Sequence, residues 1–139
     1  MCSISGIIGK HDLKNLKRMI SAQEHRAPDQ NGFFCKDDIN IGMGRLKIVD
    51  INNKELCPFE NENVVISFNG EIYNYLYLKK ILINKGHKFI TKSDIEVLAK
   101  CWKEWEYSMF DKINGMFSFA LFDKKKQKLI LARDIAGEK

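Results

Sequence analysis

The sequence has 139 residues, a mass of 16.2 kDa and 45% hydrophobic residues, which suits one domain with a core of its own. This composition excludes an intrinsically disordered chain, and the longest nearly apolar stretch, Met116–Phe122, is far shorter than the ~20 residues that span a bilayer. We therefore expect a soluble, cytoplasmic protein without a membrane partner. The net charge is +5, and the one dense basic run, Lys124–Lys128, is typical of a solvated hairpin tip; a nucleic-acid patch is the less favoured alternative.

In the first half of the chain, the spacing of apolar residues predicts one helix among several strands. Ile4–Ile8 is expected to form a short buried strand, and Asp12 can cap a helix whose apolar residues recur at helical spacing: Leu13, Leu16 and Ile20. Further strands are predicted over three ranges: Phe33–Lys36, Ile39–Leu46 and Asn63–Phe68.

The dipeptide Asn69-Gly70 has two structural interpretations. After an apolar strand, such a pair is a strong hairpin signal. The apolar residues from Ile72 to Ile83 return at helical intervals, however, and this spacing favours a turn from strand into helix. Such a turn leaves backbone N–H groups unpaired, so that they and the Asn69 amide could donate to a developing oxyanion.

The second half of the chain predicts a helix and then two strands. Ser93 and Glu96 have the spacing of a capping box, and the apolar residues after Ser93 lie on one helical face: Ile95, Leu98, Trp102 and Trp105. Strands are predicted over Met116–Phe122 and Lys128–Ala132, joined by the lysine-rich tip. Strands both in series and between helices favour an α+β domain with a mostly antiparallel sheet.

Four cysteines are present, and their spacing supports neither a zinc site nor a disulfide framework, so we expect free thiols and no metal. Cys2 differs from the others in its position. If Met1 is removed, Cys2 becomes the first residue and carries a thiol beside a free α-amine. The alternative is that Cys2 is an ordinary buried thiol.

Seven short motifs occur in the order and spacing of one known family: Met1–Ile7, His25–Asp29, Arg45–Asp50, Asn69–Asn74, Ser93–Glu96, Asn114–Phe117 and Ala132–Asp134. They resemble the glutaminase domain of glutamine-hydrolysing asparagine synthetase, a class II glutamine amidotransferase of the N-terminal nucleophile hydrolase type. The resemblance implies an α+β fold, a four-layer αββα sandwich of two antiparallel sheets. Residues 1–139 would form one such glutaminase domain, incomplete at its C-terminus and without the synthetase domain.

The resemblance also implies the catalytic residues. Cys2 would attack the side-chain amide of glutamine, and its own α-amine would take the thiol proton and later give one to the departing ammonia. The Asn69 side chain and the Gly70 N–H would hold the tetrahedral oxyanion.

The substrate-binding residues follow from the same resemblance. Arg45 would pair with the α-carboxylate of glutamine in a bidentate contact, and Asp94 would receive the α-ammonium. Asn69 and Gly70 would contact the substrate as well, and further residues would complete the pocket: Glu71, Leu46, Lys47, Ile48 and Val49. Arg45 at a strand end and Asp94 in the first turn of a helix also have sufficient structural roles.

The implied activity is hydrolysis of L-glutamine to glutamate and ammonia. The ammonia would reach a synthetase domain or subunit that makes asparagine from aspartate. No cofactor is expected in this domain, whereas ATP and Mg would bind the absent synthetase domain, and the full-length protein is a possible homodimer. The alternatives are a catalytically silent or truncated domain, a relative that amidates another acceptor, and a basic nucleic-acid-binding module.

The sequence departs from the family pattern at a few positions near the implied pocket. Ala27 stands where the family usually has glycine, so strain is expected in the loop near Cys2. Met43, Gly44 and Lys47 replace residues that are usually polar, which changes the pocket in detail.

Overall fold

The computed structural model describes residues 1–10, 12–46 and 57–139. Within these ranges the chain forms seven strands, three α-helices and one 3₁₀-helix. The strands are β1 (Ser3–Ile8), β2 (Gln30–Lys36), β3 (Ile39–Arg45), β4 (Phe59–Glu60), β5 (Val64–Ile72), β6 (Gly115–Asp123) and β7 (Lys128–Arg133). The helices are α1 (Leu13–Ser21), α2 (Tyr75–Asn84), α3 (Asp94–Trp105) and the 3₁₀-helix Glu106–Asp111. None of the described helices is long and apolar enough to cross a membrane.

Two antiparallel sheets stack face to face between helices. The first sheet has the order β1-β3-β2 and the second β4-β5-β6-β7. One apolar cluster lies between the sheets, and it consists of Phe34, Ile41, Val65 and Phe122. The hydroxyl of Ser67 also crosses from β5 to β3, where it donates to the Gly42 carbonyl at 3.1 Å.

The outer faces of both sheets are covered by helices. Leu16 and Ile20 of α1 are buried and lie directly over Gly42 of the first sheet. On the other side, α2 and α3 pack on the second sheet around a larger cluster that includes Ile66, Leu82 and Trp102. The predicted α+β sandwich of four layers, αββα, is therefore confirmed.

Several predicted elements agree with the structure to within a few residues. The Asp12 carboxylate caps α1 by accepting a 3.0 Å hydrogen bond from the Asn15 N–H. The apolar face predicted for α3 is the face that packs into the core. The lysine-rich run is the tip between β6 and β7, and two of its lysines form ion pairs, Lys124 with Glu60 and Lys126 with Glu106.

Three local predictions need correction. The predicted turn from strand into helix is present, but it lies later than Asn69-Gly70, because β5 stays paired with β6 as far as Ile72 and α2 begins at Tyr75. Glu96 does not close a capping box: its carboxylate accepts from the N–H groups of Ile90 and Thr91, at 3.0 and 2.7 Å, and so pins the loop before α3. The Ser93 hydroxyl still caps the helix by accepting from Ile95 at 3.4 Å.

The third error concerns Ala27. The described non-glycine residues with positive φ are Asp37, Glu106 and Gln127, so the Ala27 backbone is not in the left-handed region and the expected strain is absent. Ala27 is instead buried, and its methyl group packs toward Gly44.

Candidate active site

A cavity of about 160 Å³ opens where β1 begins and where β3 and β5 end. It brings together every described residue of the predicted site: Cys2, Arg45, Leu46, Asn69, Gly70, Glu71 and Asp94. These residues are far apart in the sequence, and the stacking of the two sheets places them around one space. Lys47, Ile48 and Val49, which were predicted to complete the pocket, lie outside the described residues.

Cys2 lies just before β1 at the wall of this cavity. It is partly buried, and its Sγ is 3.9 Å from the carbonyl oxygen of Leu46. Met1 also lines the cavity, with its terminal ammonium donating to the Arg26 carbonyl at 3.4 Å and its sulfur 3.5 Å from Lys139 Nζ. A retained Met1 therefore occupies space beside the thiol, and it converts the α-amine of Cys2 into an amide.

The hydrogen bonding of β6 determines where the Gly70 N–H points. Gly70 lies opposite Phe117 of β6, but the backbone N–H and C=O groups of Phe117 point away from β5. The Phe117 carbonyl accepts from the Asp134 N–H at 2.7 Å, and the Phe117 N–H donates to the Asp134 carboxylate at 3.2 Å. The Gly70–Phe117 pair is therefore of the non-hydrogen-bonded type, and the Gly70 N–H faces away from β6. Ile72, two residues further on, likewise donates away from β6, to Asp94.

The outward edge of β5 at Gly70 faces the cavity. Among the described residues, β4 pairs with only Val65 and Ile66 of this strand, so it does not extend to Gly70. Asn69 is buried and also lines the cavity. The Asn69 side chain and the Gly70 backbone thus meet at the same wall as Cys2, although within a strand and not in the predicted turn.

Gly70 cannot be replaced without disturbing this strand. Its φ is +149°, and a Cβ atom would lie 2.1 Å from the Met116 carbonyl oxygen and 2.6 Å from the Phe117 Cα. Both contacts are with backbone, which cannot move aside as a side chain can. Glycine is therefore required at this position for β5 and β6 to pair closely.

Two residues of opposite charge lie across the cavity lining. Arg45 is the last residue of β3, is buried, and accepts a 3.2 Å hydrogen bond on its carbonyl from the Asp29 N–H. Asp94 begins α3, where its carboxylate accepts from the Ile72 N–H at 3.0 Å and from the Ser93 hydroxyl at 3.4 Å. A cation and an anion in one cavity suit a zwitterionic ligand.

Burial raises the pKa of the Asp94 carboxyl above its usual 3.8, although the hydrogen bonds from Ile72 and Ser93 act in the opposite direction. The ionised form of Asp94 is therefore less favourable in the folded protein than in water. A cationic group of a ligand would relieve this cost by pairing with the carboxylate.

Sequence reasoning assigned no role in the site to six further lining residues, of which it noted only the first, as a departure from the family pattern near the pocket: Met43, Phe68, Ser93, Ile95, Met116 and Lys139. Four of them are apolar and form the wall against which an aliphatic chain can pack. Strand alternation could have identified Met43, because it lies two residues before Arg45 on the same face of β3. The position of Met116 in the lining could be predicted only from its pairing with Glu71 across β5 and β6.

The described residues contain no group of His, Cys, Asp and Glu side chains that could hold a metal ion. None of the four cysteines is in a disulfide bond, and Cys57 and Cys101 are buried. Burial raises the pKa of the Cys101 thiol to about 12, which keeps it protonated and unreactive at neutral pH. Cys2 is the cysteine that lines the cavity, and so it is the candidate nucleophile.

The sequence profile of the glutamine amidotransferase domain family matches residues 1–139. Among curated proteins, glutamine-hydrolysing asparagine synthetase 1 of Bacillus subtilis is 37% identical over 147 residues, covering 100% of this chain and 23% of that protein. Glutamine-hydrolysing asparagine synthetase 2 of Oryza sativa is 38% identical over 143 residues, covering 99% of this chain and 24% of that protein. The chain thus spans about a quarter of the length of these relatives.

The fold is similar to that of a solved amidotransferase structure. Glutamine phosphoribosylpyrophosphate amidotransferase of B. subtilis, in complex with ADP and GMP, superposes with a TM-score of 0.78 over 96% of this chain and 37% of that chain. The sequence identity in this comparison is 20%, so the similarity concerns the fold alone.

Proposed function

Since the chain belongs to the glutamine amidotransferase domain family, we propose that it hydrolyses L-glutamine to glutamate and ammonia with Cys2 as the nucleophile. The observation that supports this most is the cavity itself. Around a volume of about 160 Å³ it holds one thiol, one buried amide side chain and several charged residues, among them the buried Arg45 and the partly buried Asp94. Free glutamine matches these features, because it has an amide at one end and a zwitterionic amino-acid group at the other.

The binding step uses the two charged residues. Arg45 pairs with the α-carboxylate of glutamine through two parallel N–H donors, and Asp94 pairs with the α-ammonium. The methylene groups of the substrate pack on Met43, Phe68 and the other apolar lining residues. This arrangement directs the side-chain amide toward Cys2.

The chemical step begins once Met1 is removed and Cys2 carries a free α-amine. The amine takes the proton of the thiol, and the thiolate sulfur attacks the carbonyl carbon of the substrate amide. The Asn69 amide and the Gly70 N–H stabilise the resulting oxyanion. The C–N bond then breaks, the protonated amine gives its proton to the leaving nitrogen, and ammonia departs.

The glutamyl thioester that remains is hydrolysed by water. The neutral α-amine removes a proton from the attacking water, a second oxyanion forms at the same donors, and the C–S bond breaks. The thiolate regains its proton from the amine, and glutamate leaves. All atoms and protons are accounted for by glutamine and one water molecule, so the reaction needs no cofactor in this domain.

We further propose that the ammonia serves asparagine synthesis. The relatives with 37% and 38% identity are named as glutamine-hydrolysing asparagine synthetases, and they are about four times as long as this chain. A synthetase domain or subunit would bind ATP, Mg and aspartate, and it would receive the ammonia formed here. Another nitrogen acceptor is the alternative.

The test is a direct assay of glutamate and ammonia release, combined with intact mass to establish whether Met1 is present. We expect activity in the Met1-free chain and none in Cys2→Ala. Cys35→Ala is the matched control, because Cys35 is also partly buried but lies in β2 and does not line the cavity. A folded, Met1-free chain that releases no glutamate would refute the proposal and favour a catalytically silent domain.

A further inference from the structure

Two aspartates hold opposite ends of the hairpin formed by β6 and β7. Asp123 is the last residue of β6, and Asp134 directly follows β7. Both are buried to the same extent, with 7% of their surface exposed. Asp123 lies at the lysine-rich tip, far along the strand from the cavity, whereas Asp134 lies at the end where β6 pairs with Gly70.

Asp134 completes the last hydrogen-bonded pair between β6 and the end of β7 with its side chain. Its N–H donates to the Phe117 carbonyl, and its carboxylate accepts the Phe117 N–H at 3.2 Å. Its own carbonyl is turned elsewhere and accepts from Gly137 at 3.0 Å. Both backbone polar groups of Phe117 are thereby directed toward Asp134, and this direction leaves the Gly70 N–H facing the cavity.

The same carboxylate organises the following segment. It accepts hydrogen bonds from the N–H groups of Glu138 and Lys139, at 2.9 and 3.1 Å. Lys139 lines the cavity next to Met1. These hydrogen bonds, that from Glu138 first, lower the pKa of the Asp134 carboxyl, so it is ionised at neutral pH and accepts at both oxygens.

We infer that Asp134 is a positioning residue for glutamine hydrolysis. By binding both Phe117 and the Glu138–Lys139 backbone, it holds β6 in the position that keeps the Gly70 N–H of β5 directed at the oxyanion. This inference rests on the proposed function and adds to it a residue that does not line the cavity. Oxyanion donors act only when they are held in place, and a displacement of about 1 Å can reduce a rate by roughly 100-fold. Asp134 supplies that restraint through three hydrogen bonds from backbone N–H groups.

Asp123 provides a matched control within the same hairpin. Its carboxylate also accepts three hydrogen bonds, from the Lys125 and Lys126 N–H groups at 3.0 and 2.8 Å and from Trp102 Nε1 at 2.8 Å. Burial acts to raise the pKa of the Asp123 carboxyl, but these bonds lower it overall. Replacing either aspartate by asparagine removes one acceptor oxygen and one charge, so the structural damage is comparable.

The experiment compares Asp134→Asn with Asp123→Asn in the Met1-free chain, using thermal unfolding, kcat and KM for glutamine, and hydrogen exchange at the Phe117 and Lys139 amides. We expect both variants to unfold at lower temperature. Only Asp134→Asn should lower kcat, by about 10- to 100-fold with a smaller change in KM, and only this variant should speed exchange at both amides.

Equal kcat values for Asp134→Asn and Asp123→Asn would overturn the inference and leave Asp134 a purely structural residue. If the unsubstituted chain and Asp123→Asn both lack glutaminase activity, the proposed function itself is wrong. The positioning role of Asp134 would then be refuted as well. Faster exchange together with an unchanged kcat would also contradict the inference, since it would show that the Gly70 edge tolerates movement.

Discussion

The backbone N–H of Ile72 donates a 3.0 Å hydrogen bond to the carboxylate of Asp94, and this bond joins the end of β5 to the first turn of α3. Ile72 and Gly70 lie on the same edge of the strand. The proposed ammonium-binding residue, on α3, is therefore hydrogen-bonded to a residue of β5 that lies two positions from the proposed oxyanion donor. Any shift of α3 relative to β5 would change the distance between the two ends of a bound glutamine.

Asp94→Asn should increase the stability of the fold near neutral pH but weaken the binding of glutamine. Because the pKa of Asp94 is raised in the folded chain, the folded state binds a proton more tightly than the unfolded state, and stability falls as pH rises through the window between 3.8 and the raised value. Removing the charge should therefore make the empty variant more stable than the unsubstituted chain near neutral pH, with no difference well below 3.8. Glutamine should bind roughly 100-fold more weakly.

Thermal unfolding at several pH values and isothermal titration with glutamine test this prediction. Normal glutamine binding by Asp94→Asn would show that the carboxylate has only a structural role in the first turn of α3. Lower stability of this variant near neutral pH would contradict the predicted gain in stability.

Asn69→Ala should act on turnover more than on affinity. The Asn69 amide is proposed to donate to the oxyanion, which exists only in the transition state and the intermediates, so kcat should fall by roughly 100- to 1000-fold while KM changes little. Asn61→Ala is the control, because the Asn61 side chain accepts from Asn63 and Val64 at the other end of β5. An effect of Asn69→Ala confined to KM would remove Asn69 from the oxyanion role.

Arg45→Lys tests whether the carboxylate is bound by a planar fork. Lysine keeps the charge but loses the two parallel donors, so we expect KM for glutamine to rise by about 10-fold or more with a smaller change in kcat. Arg18→Lys on the exposed face of α1 should have no effect. Steady-state kinetics measure both parameters. An unchanged KM in Arg45→Lys would mean that another group binds the α-carboxylate.

Gly44→Ala tests the packing behind Cys2. A Cβ atom at Gly44 would lie 2.4 Å from Ser3 Oγ and 3.0 Å from the Ala27 methyl carbon, so the substitution should destabilise the fold by about 1–3 kcal/mol. Ala27→Gly in the same chain removes the contact with the Ala27 methyl carbon and should restore part of the loss. Denaturant unfolding of the two single variants and the double variant measures the coupling, and strictly additive effects would show that the two positions do not pack together.

The sequence predicted the elements whose signals are local. The Asp12 cap, the apolar face of α3 and the β6–β7 hairpin each depend on residues close together in the chain, and each is present. The turn from strand into helix was predicted too early, at Asn69-Gly70, because the local sequence does not reveal that pairing with β6 continues to Ile72. Long-range pairing overrides a local turn signal of this kind.

The family resemblance predicted seven of the residues that line the cavity, but it predicted neither their arrangement nor the rest of the lining. The apolar lining residue Met116 enters the cavity because of its register opposite Glu71, and Asp134 matters because its side chain replaces a strand carbonyl opposite Phe117. The packing of the Ala27 methyl group toward Gly44 also depends on contact between distant segments. Such features require the three-dimensional packing of the sheets.

The central claim is that Cys2 forms a covalent bond with glutamine. Acid quenching of the Met1-free chain during turnover, followed by intact and peptide mass analysis, tests it most directly. We predict a glutamyl thioester confined to the N-terminal peptide that contains Cys2, present in the unsubstituted chain and absent in Cys2→Ala. Glutamate release without any adduct on Cys2, or an equal rate in Cys2→Ala, would contradict the account.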